Sequence, residues 1–155
     1  MKTSIIAMLL IVAGSLSALA AKRPEFSGIW TFNPDKSQNI GMMSQMKMTQ
    51  TIAQSSTSLD VTSDTTFQGS DQQMRTHYDL TGKPATNDSP MEGTSETVSK
   101  WNGEEIVTTW TSQGAVENTK TVRTETRSLS PDGKTMRVES VRGANPAVVI
   151  VFDKK

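Results

Sequence analysis

The chain has 155 residues, with 16 Lys and Arg against 16 Asp and Glu, one His and no Cys. That length bounds it to one domain, and balanced charge gives no electrostatic drive toward nucleic acid or an anionic membrane. The absence of cysteine excludes disulfide scaffolds, thiolate metal sites, thiol catalysis and lipoprotein anchoring.

Met1–Ala20 reads as an export signal. Lys2 is the positive start, Ile5–Ala13 is an unbroken apolar run, and Ala18-Leu19-Ala20 is a small-x-small cleavage pattern. The run covers roughly 14 Å as a helix, about half of a hydrocarbon core, so cleavage before Ala21 is expected rather than anchoring. The mature chain, residues 21–155, is then a single exported domain, periplasmic or secreted from a bacterium. No later stretch is long and apolar enough to span a membrane as a helix. Asn87-Asp88-Ser89 matches a glycosylation acceptor pattern, but Pro90 follows and it reads as a loop accident.

From Phe26 onward the apolar residues recur with a period of two, the signature of half-buried strands. Nine strands are expected, at about Phe26–Asn33, Met46–Gln54, Ser58–Thr65, Met74–Thr81, Glu92–Trp101, Glu105–Ser112, Val116–Ser130, Thr135–Arg142 and Ala147–Asp153. Pro34–Ser44 lacks alternation and reads as a loop with a helical turn near Met42–Met46. Thr81–Pro90 reads as a second long loop. Asn102-Gly103 and Asp132-Gly133 are strong hairpin signals and Gln113-Gly114 a weaker one. Val148–Phe152 is apolar on both faces, which implies cover on both sides or a closure seam. Leu, Ile, Val and Phe are only 22 of the 135 mature residues, but low net charge and ordered rows favour a folded chain over disorder. Consecutive strands with short links imply an antiparallel meander, and rolling it into an up-and-down barrel of about 8–10 strands removes its sticky edges.

Phe26-Ser27-Gly28-Ile29-Trp30 resembles the opening strand of a lipocalin-type (calycin) barrel. The resemblance implies that Trp30 lies across the closed end with a basic residue from the last strands packed on it. Arg137 and Arg142 are the candidates, and a cation–π contact would motivate the pairing. The second lipocalin motif and the cysteine pair are missing. Phe26-Ser27-Gly28-x-Trp30-x-x-Asn33-x-x-Lys36-Ser37, with Asp132-Gly133-Lys134-Thr135 and Val151-Phe152-Asp153-Lys154, also resembles a group of short exported proteins of soil bacteria. That likeness supports fold and export and supplies no catalytic residue.

No catalytic constellation is legible. His77, the only His, falls on the parity opposite Met74, Tyr78 and Leu80 and is expected outside, beside Arg75 and Asp79. Glu104-Glu105 reads as a charged hairpin tip, and Asp60, Asp64 and Asp71 lack calcium-loop spacing. Lys120, Arg123 and Arg127, interleaved with Glu117 and Glu125, read as a solvent face. An enzyme would have to use dispersed carboxylates, which leave no short motif. No cofactor is indicated.

The expected inward set is Phe26, Gly28, Trp30, Phe32, Met48, Ile52, Leu59, Val61, Met74, Tyr78, Leu80, Ile106, Trp110, Val122, Met136, Val138, Val148, Ile150 and Phe152, with Thr76, Thr108, Thr124 and Thr126 on the same faces. Trp30, Met74, Tyr78, Trp110 and Met136 are the candidate ligand-binding residues. Trp101 either caps the core or stands exposed at a barrel mouth. The expected function is an exported, non-enzymatic, lipocalin-like barrel that binds a small apolar or amphipathic ligand. The alternatives are an envelope interaction module with a filled core, and Cu(I) binding through Met42, Met43, Met46 and Met48, whose thioethers suit a soft cation.

Overall fold

The computed structural model describes residues 22–89 and 92–155; the expected signal segment and its cleavage site lie outside them. Ten strands are described: β1 Gly28–Phe32, β2 Lys47–Gln54, β3 Ser58–Phe67, β4 Ser70–Asp79, β5 Thr81–Ser89, β6 Gly93–Asn102, β7 Glu105–Gln113, β8 Lys120–Leu129, β9 Thr135–Arg142 and β10 Val148–Lys154. They form one antiparallel sheet in the order β4-β3-β2-β1-β10-β9-β8-β7-β6-β5. The period-two pattern thus makes an all-β up-and-down barrel.

The extra strand is β5, which falls where the sequence suggests a loop. Gly82 (φ +86°) lies in the irregular start of its pairing with β6, between Thr81 and Pro84. Pro84 has no N–H to give to a ladder. It is tolerated because β5 borders the seam, where one edge carries no strand partner. The seam therefore lies between β4 and β5, while first and last strands are joined, with Trp30 opposite Lys154 and Phe32 opposite Phe152. Asn87 bridges the gap. Its Oδ1 accepts from the His77 amide at 2.9 Å, and its Nδ2 donates to the His77 carbonyl at 2.8 Å and to Thr97 Oγ1 at 2.7 Å. One side-chain amide thus imitates a backbone ladder step. The Asn87-Asp88-Ser89 stretch is therefore strand rather than loop, with Asn87 buried.

The turns follow from backbone chemistry. Asn102 pairs with Glu105, leaving Gly103 (φ +62°) and Glu104 as the two-residue loop. The β3–β4 hairpin turns on Gln68 (φ +49°) and Gly69 (φ +81°), a pair that the sequence pattern did not reveal. After β1, two short 3₁₀ helices occupy Pro34–Lys36 and Gly41–Gln45. Gln38 exchanges backbone hydrogen bonds with Val149, and Asn33 donates to the Val151 carbonyl. This segment covers the outer face of β10, which is why Val149 and Val151 are buried although they point away from the core. Among the described residues no helix is long and apolar enough to cross a membrane.

Trp30 closes one end. It is fully buried, its indole N–H reaches back to the Phe26 carbonyl at 2.8 Å, and Lys154 Nζ stands 5.1 Å over its ring. The basic partner is thus Lys154. The two candidates from sequence are engaged elsewhere, Arg137 with Glu139 and Arg142 with Glu92. Gly28 makes the crossing feasible. It sits at φ +130°, and a Cβ there would meet Lys154 Cε at 3.2 Å. The Gly-x-Trp spacing therefore has a local cause: the glycine leaves room for the lysine stem that covers the tryptophan.

Candidate functional site

The barrel interior has two storeys. The lower is an apolar floor at the end closed by Phe26 and Trp30. Leu59, Leu80, Ile106, Met136 and Phe152 pack into the same buried cluster. Trp101 belongs here, half-buried, with its ring 6.1 Å from Phe26 and Arg23 at 5.1 Å above it. It caps the core rather than standing free at a mouth.

The upper storey is polar, and β8 builds it. In an antiparallel pair, directly opposed residues point to the same side. Ile106, Thr108 and Trp110 of β7 face inward, and they oppose Arg127, Glu125 and Arg123. All three charged residues therefore point into the barrel. This corrects the expectation that Arg123 and Arg127 lie on a solvent face, and it reverses the parity assigned to β8. Val122 is 50 % exposed, and Thr124 and Thr126 also take the outer side. Val122, the strand's one mid-strand apolar residue, suggests the opposite parity but points outward. Leu129 shares the parity of Arg127, Glu125 and Arg123 and packs on the core; it was the available clue.

The charged groups satisfy one another. Arg127 is 3 % exposed. It donates to Glu125 Oε1 at 3.3 Å, Gln50 Oε1 at 3.2 Å, Met136 Sδ at 3.3 Å and Tyr78 Oη at 3.5 Å. Tyr78 in turn donates to Glu125 at 3.1 Å. Burial first, and then the negative charge of Glu125, push the Tyr78 phenol well above its ordinary range, so it stays protonated and a donor. Arg123 donates to Glu125 Oε2 at 3.3 Å, Ser140 Oγ at 3.2 Å and Glu92 Oε2 at 3.5 Å, and its guanidinium lies 4.5 Å over the Trp110 ring. Glu92 also pairs with Arg142 at the rim. Small hydroxyl residues of β6 and β7 complete this storey. Ser95, Thr97, Ser99, Thr108 and Ser112 are all buried, and Ser99 and Thr108 share a 2.9 Å hydrogen bond.

The five candidate residues from sequence separate between these levels. Trp30 and Met136 lie in the floor. Tyr78 and Trp110 meet edge to face at 6.1 Å beneath the charged group. All four belong to one buried cluster, whereas Met74 is only half-buried and outside it. The methionines do not converge in the same way. Met42 is 75 % exposed on a 3₁₀ helix, while Met48 packs on the core from β2. His77 is exposed, its Nδ1 2.6 Å from Asp60 across β3 and β4. Among the described residues no group of three or more His, Asp or Glu could hold a metal ion.

Two clefts mark the barrel ends. One of about 530 Å³ lies at the open end across β2, β3 and β4, lined by Lys47–Thr49, Asp64–Thr66 and Asp71–Gln73. The other, about 520 Å³, lies at the closed end, where Lys22, Glu25, Glu104, Leu129 and Lys154 meet the Ser130–Lys134 turn.

No protein-family model matches the chain, and no curated protein matches it in sequence. Solved structures do match in shape. A REP1-NXSQ fatty acid transporter superposes with a TM-score of 0.64 at 14% identity, over 83% of this chain and 95% of that one. Apo lipid binding protein 8 of Caenorhabditis elegans gives 0.65 at 12%, over 84% and 95%. Human cRBP IV gives 0.62 at 15%, over 84% and 98%. At such identities the likeness establishes the fold alone, an antiparallel up-and-down barrel, nearly closed and ten-stranded.

Proposed function

We propose that the protein is an exported, non-enzymatic carrier barrel that holds one small amphipathic molecule, its apolar part on the floor and its polar end among the β6–β8 side chains. The observation that carries this reading is the storey formed by Arg127, Glu125 and Tyr78, almost dry and directly above the aromatic floor. Buried ions are costly and are often no more stabilising than an apolar core of the same volume. Small side chains on two neighbouring strands leave the width of a ten-strand tube less filled than aromatic residues would. Apolar walls with a few converging polar groups are the usual make-up of a small-molecule site. The shape shared with a fatty acid transporter and a lipid binding protein supports the same reading. Export rests on the Met1–Ala20 pattern.

The test is a titration of the purified mature chain with a hydrophobic fluorophore. Saturable binding near one to one, with altered tryptophan emission and displacement by an amphiphile, is expected. No binding at tens of micromolar would leave a solid barrel acting through its surface.

A further inference from the structure

The geometry points to a neutral head group, one that accepts a hydrogen bond without carrying charge, as the polar end of the ligand. This rests on the carrier reading above and narrows it. Two observations carry the inference.

The first is charge balance. The buried Arg127 and the partly buried Arg123 each face a carboxylate, Arg127 that of Glu125 and Arg123 those of Glu125 and Glu92. The half-exposed Arg142 at the rim is also paired with Glu92. No buried cation among the described residues is left over for an incoming carboxylate. A fatty acid anion would give up its hydration and then lie against Glu125 and Glu92, both within the same cluster.

The second is an unused donor. Trp110 is 4 % exposed, and among the described residues nothing accepts from its Nε1–H. A buried donor of this kind normally finds a partner. Arg123 covers the ring face and Tyr78 meets the ring at an edge-to-face angle of 82°. The Arg123 contact over the ring face does not use the N–H, which lies in the ring plane. Thr108 and Ser112 flank Trp110 along the inner face of β7, and Thr97 opposes it on β6. The strand neighbours of Trp110 on the inner face are thus hydroxyl residues rather than unpaired ions. An ester, amide or ketone oxygen, or an alcohol, matches that setting. Trp101 Nε1 is also unpartnered, but at the closed end against Phe26 and Arg23, so it serves as an internal control.

The experiment compares laurate, methyl laurate and dodecane as competitors of a bound hydrophobic fluorophore, on the mature chain at mildly alkaline pH. Methyl laurate is expected to bind at least about tenfold more tightly than laurate. Its binding should shift the Trp110 indole N–H resonance and leave that of Trp101 in place. Trp110→Phe is expected to lose the preference for the ester over dodecane, and Trp101→Phe to keep it. Glu125→Gln, which relieves both guanidinium groups of one carboxylate, should gain affinity for laurate, read as a thermal upshift on adding laurate that the wild type lacks. Laurate binding as tightly as its ester, or a Trp110 resonance that does not move, overturns the inference and leaves the carrier reading standing. If the fluorophore and all three competitors fail to bind, both fall.

Discussion

The floor and the upper storey of one barrel are built by opposite rules. In the floor the inward residues are apolar apart from two indoles, of which that of Trp30 is turned aside toward the Phe26 carbonyl. Its stability is distributed over many independent dispersion contacts and area removed from water. The upper storey places two guanidinium groups, two carboxylates, a phenol and several hydroxyls in a nearly dry space. There the cost of desolvation is large, and each group is tolerable only because its neighbour is present. The floor holds the tube together; the storey above it gives the tube an interior with polarity and direction.

Substitutions should expose that difference. Trp30→Ala is expected to cost about 4 kcal/mol, since it leaves a large cavity and removes the seat of Lys154; urea unfolding measures it. Combining it with a distant floor change such as Leu59→Ala should give nearly additive losses if the sites are independent. The charged storey should not behave additively. Glu125→Leu or Arg127→Met alone is expected to cost about 3 kcal/mol, because each strands a buried charge, whereas the double variant should lie closer to wild type than either single. Equal and additive losses would mean that the pair is solvated and the storey is not dry.

The seam between β4 and β5 tests the join between the two levels. Asn87→Ala removes both bonds to His77 and should cost about 2 kcal/mol, with faster amide exchange at His77 as the local sign. Lys154→Met, which keeps the stem and removes the charge over Trp30, should cost only about 0.5–1 kcal/mol. The smallest effect is that of pH. Asp153 is held below the usual carboxylate range, first by the Lys36 hydrogen bond and then by that of Asn33. A depressed folded pKa stabilises the fold above the unfolded value, about 3.9. That contribution fades as pH falls through the folded value. Stability should therefore drop on acidification below about pH 4, and Asp153→Asn should lessen the slope.

The floor was legible in the sequence because apolar side chains at period two have one economical explanation. Phe26, Trp30, Leu59, Ile106 and Phe152 all lie where that rhythm sends them. The upper storey was not legible, because a charged residue at an inward position carries the same letters as one facing water. Arg123, Glu125 and Arg127 look like an exposed alternating row until the β7–β8 register is known, and that register is a non-local fact. Strand β5 was hidden for a related reason. Its Gly82 and Pro84 are turn residues by local chemistry, and only the seam position makes them compatible with a strand. Lys154 could be found over Trp30 only once the first strand was paired with the last.

The most direct measurement of the central claim is a proton–nitrogen correlation spectrum of the mature chain, titrated with an amphiphile that displaces the fluorophore. The account predicts shifts at Tyr78, Thr97, Thr108, Trp110 and Arg127, with their outward neighbours Thr109, Thr124 and Thr126 little changed. Shifts concentrated on those outward residues, or none at saturating amphiphile, would contradict it.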